Sequence, residues 1–429
     1  MSAAPLESQP IPVAASAPNE SKSQRKRIDS IDVLRGIVMV VMLLDHTRDF
    51  VHYAALQGFD PTDLPHSSFK LFFTRWITHY CAPIFVFLAG TSAYLILARR
   101  KSKPELSRFL LTRGLWLVVL EFTVIRCAAF MNFDYRFLGV AQVIWVIGVS
   151  MIVLAALIYL PTPAVAAFGI LMIALHNLLD KISLSGWDGP GTPIPSYTTK
   201  LYMFLHQPFS GFPVFGGRSP VVFIIYPLIP WIGVMAVGYA LGVIYQMEQQ
   251  RRRTLLIRLG LIATVLFFVL RGINVYGDPS RWSTQKNFVF TVMSFFNVTK
   301  YPPSLLYLLM TLGPALVLLA MFERDTSGRG IGERVRSFFI TFGRVPLFFY
   351  ILQWLMAHAT SIAAHLIAGK SVRWMFASGF DGARPPPEAG FRLDVVYLCW
   401  IVGVLLLYPL CRWYAGVKRR KQSWWLSYL

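Results

Sequence analysis

The chain is poor in charge. Of its 429 residues only 14% are Asp, Glu, Lys or Arg, against about 25% in a typical soluble domain. That shortfall, beside 55% hydrophobic and 15% aromatic residues, excludes an ordinary soluble globular protein. Acidic residues are the scarcer sign, 21 against 41 Lys and Arg, for a formal net charge of +20. A soluble chain with that excess would suggest a nucleic-acid partner, but no basic, aromatic-interleaved soluble module is present. The basic residues sit instead at the ends of apolar runs, where they orient membrane spans. Cysteine is scarce too. Cys81, Cys127, Cys399 and Cys411 all fall in or beside apolar runs and show no CxxC spacing. Neither a disulfide framework nor a thiolate metal site is indicated, and no metal is expected. Soluble-enzyme signatures are missing as well: there is no GxSxG, HExxH, P-loop or Rossmann fingerprint.

What is present is a succession of long apolar runs. About ten reach the length needed to cross a ~30 Å hydrocarbon core at 1.5 Å per residue. They lie near 31–51, 72–98, 108–129, 139–160, 162–180, 220–246, 254–273, 303–322, 338–366 and 393–415. The expected fold is all-α, a polytopic transmembrane bundle of about 10–11 spans. Residues 1–27, rich in Ala, Pro and Ser, read as a disordered cytoplasmic tail, 28–417 as the membrane domain and 418–429 as a basic cytoplasmic tail. Arg25-Lys26-Arg27 before an apolar run imitates a signal peptide, but Asp45, His46, Arg48 and Asp49 occupy the place of a neutral cleavage region.

Orientation follows from the loops. With a cytoplasmic N-terminus, the clusters at Arg99 to Lys103, Arg251 to Arg253, Arg324 to Arg336 and Lys418 to Lys421 fall on one side. That is the positive-inside pattern, and it predicts a multi-pass membrane protein with both termini cytoplasmic. The longer opposite loops, 52–71, 181–219, 274–302 and 367–392, are rich in Pro, Gly and aromatics, a composition suited to function. Pro83, Pro227, Pro230, Pro314, Pro346 and Pro409 fall within predicted spans. Each either kinks a packed helix or breaks one beside a cavity. The 338–366 segment is long enough to hide such a break.

Chemistry concentrates in the first span. It reads Ile31-Asp32-Val33-Leu34-Arg35-Gly36, then an apolar run, then Asp45-His46-Thr47-Arg48-Asp49. Charge in hydrocarbon costs several kcal/mol, so these groups should face a protein interior or aqueous cavity. Arg35 and His46 are eleven residues apart. At ~100° per residue they lie within roughly 20° of one face and about 16 Å apart along the axis. Asp32 and Arg35 can pair across one turn, as can His46 and Asp49. A carboxylate from Asp45 or Asp49 beside His46 would fix its tautomer and raise its basicity, as a general base requires.

Other candidates are scattered. Arg75 and His79 are four apart at the start of the second span, and Ala89-Gly90-Thr91-Ser92-Ala93 is a small-residue run suited to close packing. Glu121 invites an ion pair with Arg113 or Arg126. Gly343-Arg344-Val345-Pro346, Tyr350 and Gln353 bring polar groups into the ninth span, whereas His176 and His206 stand isolated and receive no role.

The stretches Ser30 to Gly36 with Asp45-His46, and Ala82-Pro83-Ile84-Phe85-Val86-Phe87-Leu88-Ala89-Gly90, resemble the heparan-alpha-glucosaminide N-acetyltransferase-like family of bacterial membrane proteins. Phe342 to Gln353 resembles that family's C-terminal signature. The Arg35–His46 spacing also resembles the bacterial cell-surface O-acetyltransferases. These likenesses imply a transmembrane acyltransferase that takes an acyl group, acetyl foremost, from cytoplasmic acyl-CoA to a glycan or amino-sugar acceptor outside. They imply a bacterial inner-membrane location, His46 in the transfer step and Arg35 on the donor. The residues themselves add Asp45 and Asp49 as catalytic candidates beside His46, and Arg75, His79 and Arg344 as donor-binding candidates with Arg35. His46 as base and His46 as acyl carrier both remain open. The partners implied are the lipid bilayer, acyl-CoA and a glycan-type acceptor, with a homodimer allowed. A secondary transporter or flippase is the competing class, because buried charges and broken helices serve a substrate pathway equally well.

Overall fold

The computed structural model describes residues 28–99, 102–189, 191–215, 220–323, 330–378 and 384–421. The tail at 1–27, residues 422–429 of the tail at 418–429 and the basic residues within 324–329 lie outside the described residues.

The apolar runs form helices, as their composition requires in a medium that cannot satisfy free backbone groups. Among the described residues, six helical stretches are long and apolar enough to cross a membrane: Phe69–Ala98, Thr162–Lys181, Gln249–Ile273, Leu305–Phe322, Pro346–Ile367 and Leu393–Arg420. Val143–Leu157 and Trp231–Gln246 are shorter apolar helices. The Asp29–Val51 helix is not among the six, yet its 23 residues reach about 34 Å at 1.5 Å each. Its charges dictate its place. It packs against Cys81–Ala98, Leu305–Phe322, Ile331–Gly343, Pro346–Ile367 and Leu393–Arg420, which surround it. Thr162–Lys181 and Gln249–Ile273 bury only 22% of their apolar windows and turn the rest outward. The helix that carries Asp32, Arg35, Asp45 and Arg48 within its span is thus inside, and the apolar windows of the latter two face outward, as a lipid solvent demands.

Small residues set the closest crossings. A Cβ on Gly36 would lie 1.8 Å from the Phe339 carbonyl oxygen, and one on Gly343 would lie 1.9 Å from that of Asp32. The first helix and Ile331–Gly343 therefore touch backbone to backbone, which carries Arg344 to the side of Asp32 and Arg35. Gly90 meets the Met235 carbonyl, and Gly238 meets that of Phe87, in the same way.

Helix breaks differ in part from expectation. The 338–366 segment does break: Ile331–Gly343 ends before Pro346, which opens Pro346–Ile367 at a position that needs no amide donor. Residues 72–98 divide into Phe69–Thr78 and Cys81–Ala98 at His79-Tyr80, just before Pro83. Pro227 and Pro230 do not interrupt a helix but precede Trp231–Leu241. The 220–246 run begins as a strand. Phe137–Ala141 (β1), Ser210–Pro213 (β2) and Val221–Ile224 (β3) form a small sheet in the order β1-β3-β2. Pairing of β1 with β3 is parallel and of β2 with β3 antiparallel. The bundle is all-α apart from this sheet, which the alternation-poor apolar runs did not signal.

The loop after Gln249–Ile273 is fixed by one buried cation. Arg271 donates to the carbonyls of Ser280, Phe295 and Asn297, each at 2.8 Å, and to that of Ser294 at 3.1 Å. Within that loop Asp278 accepts from Thr299 N–H at 2.8 Å and Ser304 Oγ at 2.6 Å. Burial pushes the Asp278 carboxyl up, against the pull of these bonds. The result is a rigid approach for Lys300 and Tyr301.

Candidate active site

The first helix carries two clusters about three turns apart. Near its start, Arg35 donates to Asp32 Oδ1 at 3.4 Å, the Gly343 carbonyl at 3.4 Å and Ser92 Oγ at 3.0 Å. The expected Asp32–Arg35 pair is therefore present. Arg344 stands alongside, 3.9 Å from Asp32 Oδ2 and 3.8 Å from Asp29 Oδ1. These arginines border a cavity of about 360 Å³, within the range of small-molecule sites. Arg113 and Lys418 add two further cations to its lining. The walls are apolar, with Met39, Phe85, Phe109, Ile144, Ile147 and Leu347, and Met42 and Tyr350 also line it. Ala89, Ser92 and Ala93 line it too, so the small-residue run both packs, through Gly90, and shapes the cavity.

The second cluster centres on Asp45. Arg75 Nη1 lies 2.9 Å from both of its oxygens, Thr78 Oγ1 donates at 2.8 Å, and Arg48 Nη2 is at 2.9 Å. Lys300 Nζ approaches to 3.7 Å. One buried carboxylate thus faces three cations. Arg48 also reaches Asp49 at 2.6 Å, whose side chain is about half exposed. Tyr307 OH donates to the His79 carbonyl at 2.6 Å and closes the cluster from the Leu305–Phe322 helix.

His46 lies at the level of the second cluster, next to Asp45 in the helix. It follows Met42 by one turn, and its ring lies against Trp354, centroid to centroid 3.9 Å. Trp354 in turn follows Tyr350 by one turn, their rings 6.4 Å apart. The cavity wall and the His46–Trp354 pair are adjacent layers of the same two helices. His46 and His79 bury Nδ1 atoms that have no hydrogen-bond partner among the described residues, and so does Gln353 with both amide atoms. Other histidines are committed: His52 Nδ1 accepts from Ala54 N–H at 3.2 Å, and His358 and His365 contact backbone carbonyls at 3.2 and 2.8 Å. Orphaned polar atoms at membrane depth are costly, and others lie elsewhere in the bundle, at Ser150, Trp231 and Tyr245 among them.

The nominated residues therefore divide. Arg35 and Arg344 line the cavity, whereas Arg75 and His79 gather around Asp45. His46, Asp49 and His79 do not line this cavity with Arg35. No carboxylate–histidine hydrogen bond forms at His46, because the Asp45 oxygens are taken by Arg75, Thr78 and Arg48. Glu121 pairs with neither Arg113 nor Arg126. Its Oε2 accepts from Trp145 N–H at 2.7 Å and caps the Val143–Leu157 helix. Arg126 turns to the carbonyls of Asn132, Asp134 and Phe137. Arg136 and the Ser378 hydroxyl hold the neighbouring Asp134 carboxyl below its usual range. Lys300, Thr78, Arg113, Lys418 and Trp354 were not singled out as site residues in the sequence. A lone lysine between aromatic and Pro residues, Lys300-Tyr301-Pro302, was the available signal for the first.

A family model described as heparan-alpha-glucosaminide N-acetyltransferase, catalytic, matches residues 27–276. The chain belongs to this N-acetyltransferase family. The match takes in the first helix, the Arg75–Gly90 region and most of the cavity wall. It ends before Lys300 and before Phe342 to Gln353. No curated protein matches the chain significantly. Membership establishes a membrane acetyltransferase family, whose members in general use acetyl-CoA as donor.

Proposed function

We propose that this protein is an integral membrane acyltransferase that moves an acetyl group from cytoplasmic acetyl-CoA to a glycan or amino-sugar acceptor at the outer side. The observation that carries the reading is the arrangement along one central helix. Arg35 stands at a cation-bordered, apolar-walled cavity, Met42 lines it further along, and His46 and Asp45 follow on the next turn. A thioester donor needs cations for its phosphates and an apolar channel for its pantetheine arm. Arg35, Arg113, Arg344 and Lys418 supply the first and the cavity wall supplies the second. Lys418 belongs to a basic cluster expected on the cytoplasmic side, which supports donor entry from there.

In this scheme His46 acts beside the second cluster, one turn beyond the cavity-lining Met42. Its unpartnered Nδ1 is available either to take the proton of an acceptor hydroxyl or amine, or to attack the thioester carbonyl. In the direct route the acceptor oxygen or nitrogen bonds the acetyl carbon, the C–S bond breaks, and the CoA thiolate receives the proton that His46 took. In the two-step route an acetyl-imidazole forms first and CoA leaves before the acceptor attacks. Asp45 with Arg48, Arg75 and Lys300 forms the electrostatic floor against which an outer acceptor is held.

The test is transfer by purified protein in detergent. Radiolabelled acetyl-CoA and a panel of amino sugars should yield labelled, chloroform-insoluble product and free CoA thiol in equal amounts. Saturable binding of acetyl-CoA without thiol release, accompanied by passage of an intact solute across proteoliposomes, would replace the enzyme with a transporter.

A further inference from the structure

We infer that His176, Asp180 and His206 form a binding site for a divalent transition-metal ion of the zinc class at one rim of the bundle. The two histidines are 30 residues apart, and nothing in their sequence spacing joins them. The fold does. His176 and Asp180 lie four apart in the short 3-10 turn that ends the Thr162–Lys181 helical stretch, and His206 follows the Tyr197–Leu205 helix.

The geometry is that of a ligand set. His176 Nδ1 and His206 Nε2 are 3.3 Å apart, and His206 Nε2 is 3.6 Å from Asp180 Oδ1. All three ligand atoms lie within 4.8 Å of one another. A tetrahedral Zn²⁺ with bonds of about 2.0–2.1 Å separates its ligands by roughly 3.3–3.4 Å, so the first two separations already match edges of such a site. Both imidazoles are 3% exposed, and their rings are inclined at 53° rather than stacked. Two imidazole nitrogens and one carboxylate select Zn²⁺ and its neighbours over Ca²⁺ and Mg²⁺, which prefer oxygen.

The surroundings are built to hold these ligands. Asn177 Nδ2 donates to the other Asp180 oxygen at 2.7 Å, while Asn177 Oδ1 accepts from Leu305 N–H at 3.0 Å. The carboxylate is therefore oriented by a residue that is itself anchored to the next helix, as second-layer partners of metal ligands are. Tyr202 OH donates to the carbonyls of Leu179 and Ile182 at 3.0 and 2.9 Å. Gln207 exchanges two hydrogen bonds with the Leu184 backbone, each at 2.9 Å. A metal here would cross-link the end of one span to the segment leading into β2. That segment includes Phe209, whose ring packs on Tyr301 at 5.3 Å, next to Lys300 and hence to the Asp45 cluster.

The test uses full-length protein with a histidine-free affinity tag, stripped with chelator and returned to detergent buffer. Zn²⁺ alone should bind saturably at a single equivalent and raise the unfolding temperature by on the order of 2–5 °C. Co²⁺ should give the visible absorption of a nitrogen-ligated, four- or five-coordinate ion. His206→Ala and Asp180→Asn should lose the equivalent, whereas the exposed His66→Ala should keep it. X-ray absorption of the Zn²⁺-loaded wild type needs no variant and should report two imidazole nitrogens with oxygen ligands. Absence of saturable Zn²⁺ binding to the wild type, a spectrum without imidazole, or full retention by a folded His206→Ala would reduce the cluster to a histidine–histidine hydrogen bond and overturn the site.

Discussion

Arg75 binds Asp45 through a single nitrogen, Nη1, placed 2.9 Å from each carboxylate oxygen. Thr78, Arg48 and Lys300 complete the shell around that carboxylate. Asp45 is the carboxylate that these cations share, so its removal leaves Arg75 and Lys300 beside Arg48, which alone keeps a close carboxylate in Asp49, in a buried layer. Breaking a buried pair in this way typically costs about 3–5 kcal/mol, because a desolvated charge loses its partner. Asp45→Asn should therefore lower the unfolding temperature of purified protein sharply, well beyond the effect of Asp49→Asn, whose side chain is half exposed. Equal stability of the two variants in a thermal-shift series would show that Asp45 does not organise the cluster.

A second expectation concerns the crossing that brings Arg344 to the cavity. Gly36→Ala would place its Cβ 1.8 Å from the Phe339 carbonyl, a clash with backbone that no side-chain rotation relieves. Overpacking usually costs about 1–3 kcal/mol, and here the helices must move apart. Folded yield should fall, and any protein that does fold should bind acetyl-CoA weakly because Arg35 loses the Gly343 carbonyl. Gly272→Ala, at a position with nothing within 4 Å, is the control and should behave as wild type.

These relationships explain how far the chain could be read before its fold was known. The first helix was legible because Asp32, Arg35, Asp45 and His46 are costly in a span and therefore conspicuous. The break at Pro346 was legible because proline removes a donor. Asp45's partners were not legible. Lys300 arrives from a loop fixed by Arg271 and Asp278, and only tertiary structure brings it to the first helix. The expected carboxylate at His46 fails for a related reason: Arg48 holds Asp49 from the same helix, and Arg48, Arg75 and Lys300 hold Asp45, so neither carboxylate bonds the imidazole. His176 and His206 looked isolated because their meeting depends on the fold of the loop between them. The sheet was missed because β1 and β3 are embedded in runs whose hydrophobicity does not distinguish a short buried strand from a helix end.

Donor binding should depend on the cavity cations unequally. Arg35 contacts Asp32, Gly343 and Ser92 at once, whereas Arg344 is 40% exposed at its side chain. Hydrogen bonds to a charged group contribute about 1.5–3 kcal/mol when buried. Arg35→Ala should weaken acetyl-CoA binding by roughly 10- to 100-fold on that scale, and Arg344→Ala by less, since solvent screens an exposed charge. Arg35→Lys should recover only part, because it keeps charge but loses the planar fork. Isothermal titration with acetyl-CoA and with desulfo-CoA separates these effects from turnover. Unchanged affinity in Arg35→Ala would return Arg35 to a purely structural role.

The last expectation concerns His46. Its ring is held against Trp354 at 3.9 Å, and its Nδ1 has no partner among the described residues. An imidazole with an unpartnered nitrogen, one turn beyond the cavity-lining Met42, is placed to accept a proton from an acceptor or to carry the acetyl group. His46→Ala should reduce turnover by about 10²–10⁴-fold, the usual loss when a positioned base is removed, while acetyl-CoA affinity stays near wild type because His46 does not line the cavity. His46→Gln keeps shape and polarity without basicity and should be equally slow. The two routes then part in a quenched-flow experiment without acceptor: an acetyl-imidazole route gives a burst of free CoA thiol equal to the enzyme present, and the direct route gives none. Trp354→Phe preserves an aromatic face and should slow transfer only modestly, whereas Trp354→Ala frees the ring and should slow it more. Full turnover by a folded His46→Ala would move the reactive group to His79, the other histidine with an orphaned Nδ1.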